Sequence, residues 1–501
     1  MQKSRIYWFS LFLFIAFTIF PSCNRGNNDR NINELRWGFT SEPTTLDPLS
    51  PSNTADGRSI LFNVFEGLVK PNIDGTLLPG IAESWTIEQN GLVYSFKLRE
   101  GVLFHDGSVV TPVDVKFSLD TAIAAGFHGL INIEEVRIIG ENIINVTLKS
   151  SDPDFLPYLT AGIVKAENTD REKNIIGTGP FFIESYTPQR NLVLKKFDNY
   201  WQSNLPHLEM VTLVFFANND TLMVALRGGS LDGAFITGAM AAQLDQRHFD
   251  DFYNNSAAIQ LLALNNASAP LNDINVRRAI NYGIDVQGII DSAFFGMGQP
   301  SGSPLIPGIS VYYNDSLSYP YDPDLARALL SQAGFNNTNR LSLEITVPSN
   351  FTMHIDTAQV IVNQLERIDV NASIKLVDWS TWLSETYRQR LYQATIVSLD
   401  SRTISPRGFL ARYHSAHADN FINFYNADFD RVYETAIIET DSENRRRLYR
   451  DAQRIIAEDA ASVYLQDIFY FIVFRGGAFA GALNYPLYVI DFASIYRKSN
   501  N

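Results

Sequence analysis

Two histidine placements are the first positions in this 501-residue chain to weigh for chemistry. His105 is followed by Asp106 and Gly107, an imidazole beside a carboxylate, the pairing used in general acid–base catalysis. His414 and His417 stand three apart, a spacing that puts two imidazoles on one helical face for a divalent metal. Each has a plainer reading. His-Asp-Gly is a turn sequence with a structural role, and no strong third ligand lies near the second pair, which points to solvent-exposed histidines. Gly296-Met297-Gly298 is a flexible turn, because no further glycine completes a dinucleotide fingerprint. Neither a Gly-x-Ser-x-Gly elbow nor a Gly-x-x-x-x-Gly-Lys-Ser/Thr phosphate loop occurs. No catalytic residue, metal or cofactor is assigned, and an extracellular hydrolase has little support. Trp379 and Trp382, three apart, share a face if their segment is helical; they pack a core or wall a cleft. Tyr200-Trp201 reads as core.

The elements that would position these residues divide at the middle of the chain. Residues 259–264 form an apolar strand, a polar loop with Pro270 follows, and Asp273 is a good N-cap for the next helix. On that helix Val276, Ala279, Ile280 and Ile284 share one face, with Arg277 and Arg278 pointing away. One strand thus leaves one body and one helix opens another. Before it come a strand at 34–39, an irregular stretch with two prolines at 41–48, and an amphipathic helix at 59–69. A strand at 92–98 and a helix begun by Thr111-Pro112 follow. After the middle, a helix ending at Gly334, a strand at 341–347, a helix at 355–368 and a strand at 373–377 make a βαβ unit. A strand at 394–399, helices at 429–439 and 444–458, and an aromatic segment at 469–474 complete the chain.

The length implies two or three domains, and 46% hydrophobic with 19% charged residues describes a globular protein. A net charge of −14 without a basic cluster argues against nucleic acid as a partner. Cys23 is the one cysteine, so there is no disulfide framework. Lys3 and Arg5 precede an apolar run at 6–20 that ends in Phe20-Pro21-Ser22-Cys23. This resembles a bacterial lipoprotein signal, in which the cysteine is lipidated and becomes the new N-terminus, although Phe20 and Pro21 depart from the usual residues. Plain secretion and an uncleaved anchor are the alternatives. Residues 1–22 are then the signal, 23–34 a flexible tether, and the body is extracytoplasmic.

The ordered blocks carry a family resemblance. Glu42-Pro43-Thr44-Thr45-Leu46-Asp47-Pro48, Phe65-Glu66-Gly67-Leu68-Val69 and Phe96-Lys97-Leu98-Arg99-Glu100-Gly101-Val102-Leu103-Phe104-His105-Asp106-Gly107 are the main pieces. With Gly177–Phe181, Ala225–Asp232, Asn275–Ile284 and Tyr321–Phe335, the chain resembles the extracytoplasmic solute-binding proteins of ABC importers, in the oligopeptide/dipeptide/nickel-binding family 5. The resemblance implies an α/β, two-lobed periplasmic-binding-protein clamshell (type II-like) with an extra subdomain in the larger lobe. The larger lobe would be 35–260 plus 476–501, with the subdomain at about 70–180, and the smaller lobe 261–475. The ligand sits between them, and closure about a hinge follows from contacts made by both lobes.

The resemblance also nominates residues. Glu42, Pro43, Thr44 and Thr45 belong at the cleft rim, Asn265 and Asn266 at the hinge, and Trp379 and Trp382 in the smaller lobe. Peptide-binding relatives carry an Asp four residues before a Pro, paired with the peptide α-ammonium. Counting back from Pro406 gives Arg402 instead, where an ammonium would be repelled. Either Asp400 anchors the ligand across a short insertion, or Arg402 faces an anionic or neutral ligand, or neither touches it. The implied function is a lipid-anchored, non-enzymatic, monomeric receptor delivering a peptide or other small solute to an ABC permease and its ATPase subunits. A receptor for a sugar or metal chelate, or a sensing or chaperone-like binding protein, is the alternative.

Overall fold

The computed structural model describes residues 33–499 except 51–52, 128, 246, 250 and 401–403, and excludes the side chains of 251–257 and 469. Cys23, most of the tether, and Arg402 therefore lie outside the described residues.

Two long antiparallel strands, Asp251–Leu264 and Ser462–Phe474, run side by side through one sheet that serves two bodies. Toward Phe474 the second of them pairs with Gly233–Thr237, and beyond that lie Glu34–Phe39, Met210–Phe215, Asn191–Lys196 and Phe181–Thr187. Toward Leu264 the first pairs with Ala394–Asp400, followed by Leu341–Pro348 and Val370–Val377, all three parallel. The outer partner changes sides between Tyr470 and Ala258, and a register shift between Ser256 and Ala258 falls there. An extra residue in one strand bends the ladder where it passes from one body to the other.

Period-two alternation builds a core on each face of the sheet. In the smaller lobe Ile259, Leu261 and Ala263 join one cluster, while Leu262 and Leu264 join another. In the larger lobe Ile472 and Phe474 enter the main core and Val473 a second one. Trp37 meets Phe474 and Phe492 edge-on, at centroid distances of 5.9 and 5.7 Å. The Asn63 amide donates to the Ile490 carbonyl at 2.8 Å and accepts from the Phe492 N–H at 2.8 Å. The last described residues thus complete the core around the first strand.

A subdomain is inserted in the larger lobe: a four-stranded antiparallel sheet ordered Ala82–Glu88, Val93–Leu98, Ile143–Leu148, Ile133–Ile139, with the helix Pro112–Ala124. That helix starts where Asp114 accepts from both the N–H and the hydroxyl of Thr111, at 2.9 and 2.6 Å. Gly177 lets two segments touch, since a Cβ there would lie 2.0 Å from the Val64 carbonyl oxygen.

Two local expectations fail. The helix expected at 59–69 is Ala55–Leu61, capped by Thr54, and the chain turns before Val69–Pro71 pairs as a strand. Arg277 does not point away from the apolar face. It is 6% exposed, and its guanidinium donates to the carbonyls of Leu271 at 3.0 Å and Asp459 at 2.8 Å.

Candidate functional site

In parallel sheets the carboxyl ends of the strands open onto loops that take ligands. Here two such sets face each other. Glu34–Phe39, Met210–Phe215 and Gly233–Thr237 end toward the crossing from the larger lobe; Leu341–Pro348, Val370–Val377 and Ala394–Asp400 end toward it from the smaller lobe.

On the larger-lobe side, the segment after Phe39 is pinned by its own side chains. Ser41 donates its N–H and hydroxyl to Asp56 Oδ2, at 3.0 and 2.7 Å. The Glu42 carboxylate accepts from the Tyr186 hydroxyl at 2.9 Å and the Gln189 N–H at 2.8 Å. Pro43 is buried, Thr44 is exposed, and Thr45 donates to Glu172 at 2.8 Å. The four are held in the larger lobe at a strand end, and the Glu42 carboxylate is engaged within that lobe.

Asp56 organises a second layer. Its Oδ1 accepts from the Tyr488 hydroxyl at 2.8 Å, and Tyr488 stands edge-on to Phe235 and Tyr470, at 4.6 and 5.2 Å. Phe235 and Tyr470 are parallel within 4°, 5.3 Å apart. Burial pushes the Asp56 carboxyl above its ordinary range despite the Ser41 and Tyr488 bonds.

Asp400 ends the smaller-lobe strand opposite Ala258, with its side chain exposed. Tyr470 feels both acids: burial first, then the Asp56 and Asp400 charges, raise its phenol above the usual value. Two carboxylates, one from each lobe, therefore act on one aromatic cluster at the crossing. Such a site attracts a cation and offers ring faces to an apolar or planar group.

The remaining candidates separate. Trp382 is buried, and its Nε1 donates to Thr395 Oγ1 at 2.9 Å, whereas Trp379 is half-exposed beside Phe351. Asn265 and Asn266 are not at the hinge. They follow Leu264, at the end of the strand remote from the crossing. The Asn265 amide donates to the carbonyls of Arg390 and Tyr392, at 3.1 and 2.9 Å, and Asn266 donates to the carbonyls of Leu264 and Ala461, at 2.8 and 2.9 Å. The amides of both are engaged by main-chain carbonyls. Arg402 is outside the described residues.

The two histidine placements also resolve. His105 Nε2 donates to the Gly179 carbonyl at 3.0 Å and Nδ1 accepts from the Gly177 N–H at 3.2 Å, and burial lowers its pKa to about 4. It is a neutral clamp on a bend. His414 follows a short 3-10 turn, Ala411–Tyr413, and binds Glu434 at 3.0 Å, so it shares no helical face with His417. Among the described residues no group of His, Cys, Asp and Glu is arranged to hold a metal ion.

Asp56, Phe235, Tyr470 and Tyr488 were not nominated by the sequence. An aromatic segment at 469–474 is legible in the sequence, but only the sheet register brings Tyr470 beside Phe235.

A family model described as bacterial extracellular solute-binding proteins, family 5 Middle, matches residues 76–421. The heme-binding protein A of Haemophilus influenzae is 26% identical over 426 residues, covering 76% of this chain and 77% of that one. The glutathione-binding protein GsiB of Shigella flexneri is 27% identical over 442 residues, covering 83% and 85%. The crystal structure of the ABC transporter substrate-binding protein CtaP from Listeria monocytogenes superposes with a TM-score of 0.83 at 21% identity, covering 93% of this chain and 99% of that one.

Proposed function

The chain belongs to family 5 of the bacterial extracellular solute-binding proteins, which serve ABC importers, and from that membership we propose that it captures a small solute bearing a cationic group, a short peptide first among them. The observation that carries this reading is the meeting of the two lobes at Tyr470: Asp56 holds Tyr488 edge-on to that ring, and Asp400 ends its strand opposite Ala258, the partner of Ile468 two residues from Tyr470. A solute ammonium bound at Asp400 bridges the lobes, and contacts made only when both lobes are near favour closure. Asp56, already holding Ser41 and Tyr488, shapes the larger-lobe side of the site. The glutathione-binding relative supports a peptide; the heme-binding relative, together with the Phe235–Tyr470–Tyr488 rings, supports a planar solute as the second reading.

In this reading Cys23 is lipidated, the tether of residues 23–34 leads to the body, and the loaded receptor delivers its solute to a permease with ATPase subunits. Among the described residues no helix is long and apolar enough to cross a membrane. The test is native mass spectrometry of the full chain carrying Cys23→Ser, followed by denaturing release of whatever copurifies. A ladder of peptides with free amino groups is expected. A single anionic species would overturn the cationic reading.

A further inference from the structure

The inserted subdomain and the smaller lobe touch directly, through residues that no solute contact requires. Arg407 donates to Asp152 Oδ2 at 2.6 Å, across 255 residues of sequence, and Asp152 is 4% exposed. Two residues further on, the Asp154 carboxyl, also buried, accepts from the Tyr449 hydroxyl. Tyr312 packs edge-on against Tyr449 at 5.4 Å. A second contact lies nearby, where Ser310 Oγ donates to the Asp74 carbonyl at 3.2 Å.

We propose that Asp152 with Arg407, and Asp154 with Tyr449, form a latch that closes the smaller lobe onto the inserted subdomain in a fixed register without a solute. The energetics suit a latch better than a weld. The Asp152 side chain is 5% exposed and that of Arg407 33%, and such a partly buried ion pair gives back in Coulomb energy roughly what its ions lose in hydration, so opening is nearly balanced. Removing Arg407 is different, because the Asp152 charge is then buried alone in the closed state only. The latch thus fixes the register in which the solute-free chain closes, and a solute deepens that closure. It is also wired to the cleft: Arg407 lies on the short helix Pro406–Leu410, which begins six residues after Asp400. Arg412 donates to the carbonyls of Asp400 at 3.2 Å and of Gly408 at 3.1 Å, tying that strand end to the helix that carries Arg407.

Small-angle X-ray scattering of the solute-stripped full chain carrying Cys23→Ser tests this, comparing the parent with Asp152→Asn, Arg407→Gln, their double variant, and Tyr449→Phe. Each single variant is expected to show a larger radius of gyration than the parent. The double variant should return toward the parent, since no lone charge remains. Equal radii in the parent and Arg407→Gln, with cooperative urea unfolding intact, would overturn the latch. If Arg407→Gln does not fold, Tyr449→Phe decides, because it keeps the ring and removes one oxygen; an unchanged radius there also counts against the proposal. No solute enters the measurement, so its outcome is independent of the peptide reading.

Discussion

Trp379 and Trp382 lie face to face, ring centroids 5.0 Å apart and planes 4° from parallel, yet one is 39% exposed and the other 3%. Trp382 is a core residue whose indole N–H is held by Thr395, itself bonded to the Thr346 carbonyl at 2.7 Å. Trp382→Ala should cost about 3–5 kcal/mol of stability, as expected for a large buried ring. Trp379→Ala should cost less, about 1–3 kcal/mol, the worth of its two aromatic contacts with Trp382 and Phe351. Urea unfolding of both variants checks the contrast; equal losses would contradict the division.

Asn265 bridges two carbonyls and accepts from the Asn423 amide at 2.8 Å, at the end of its strand remote from the crossing. Asn265→Ala leaves those buried groups unpaired and should lower stability by about 1–3 kcal/mol. Affinity for copurified solute, measured by calorimetry, should stay unchanged. A shift in affinity with stability preserved would restore the hinge role.

Asp400→Asn should leave the unfolding midpoint within error while weakening binding of a cationic solute by roughly ten- to a hundredfold, the loss of one charge-assisted hydrogen bond. A solute-free readout accompanies it. With the Asp400 charge gone, the Tyr470 phenol should move down toward its ordinary value, visible by ultraviolet titration against a Tyr470→Phe control.

His354 gives a pH signature. Burial lowers its pKa from 6.5 to about 4, and its Nδ1 is 3.0 Å from the Gln260 amide nitrogen, which donates to it. Between those values the unfolded chain binds a proton that the fold refuses. Stability is therefore full above pH 6.5 and lost as pH falls toward 4, by about 3 kcal/mol for this group. His105 carries the same sign. His354→Gln, which keeps an acceptor for Gln260, should roughly halve the slope that the two histidines share. Urea midpoints across pH 4–7 measure it.

What was legible in the chain was local. Thr111-Pro112 with Asp114, Asp273 as an N-cap, and Asp322-Pro323 all start helices where their chemistry says they should. Gly334 sits at φ +89 just past the helix Pro323–Gln332. The family blocks carried the two-lobed fold. Arg277 was misjudged because the carbonyl of Asp459, 182 residues away, reaches its guanidinium only in the folded chain. The candidate site was hidden for the same reason. Asp56, Phe235, Tyr470 and Tyr488 come from separate stretches, and nothing in the spacing of any one of them marks a shared surface. For the tryptophans, the sequence left core and cleft wall open, and the fold assigns the two residues differently.

The closing of the core around Trp37 by Ile490 and Phe492 sets an order on birth. A ribosome finishes Trp37 and Asn63 early, then must add 427 residues before Ile490 arrives to meet Asn63. The smaller lobe is synthesised whole inside that interval, so it can mature while its host is still open. Long-range closure of this kind slows folding. A nascent chain stopped before Ser462 would hold all the smaller lobe's helices, yet it would lack the second crossing strand and leave Trp37 without Phe474 and Phe492.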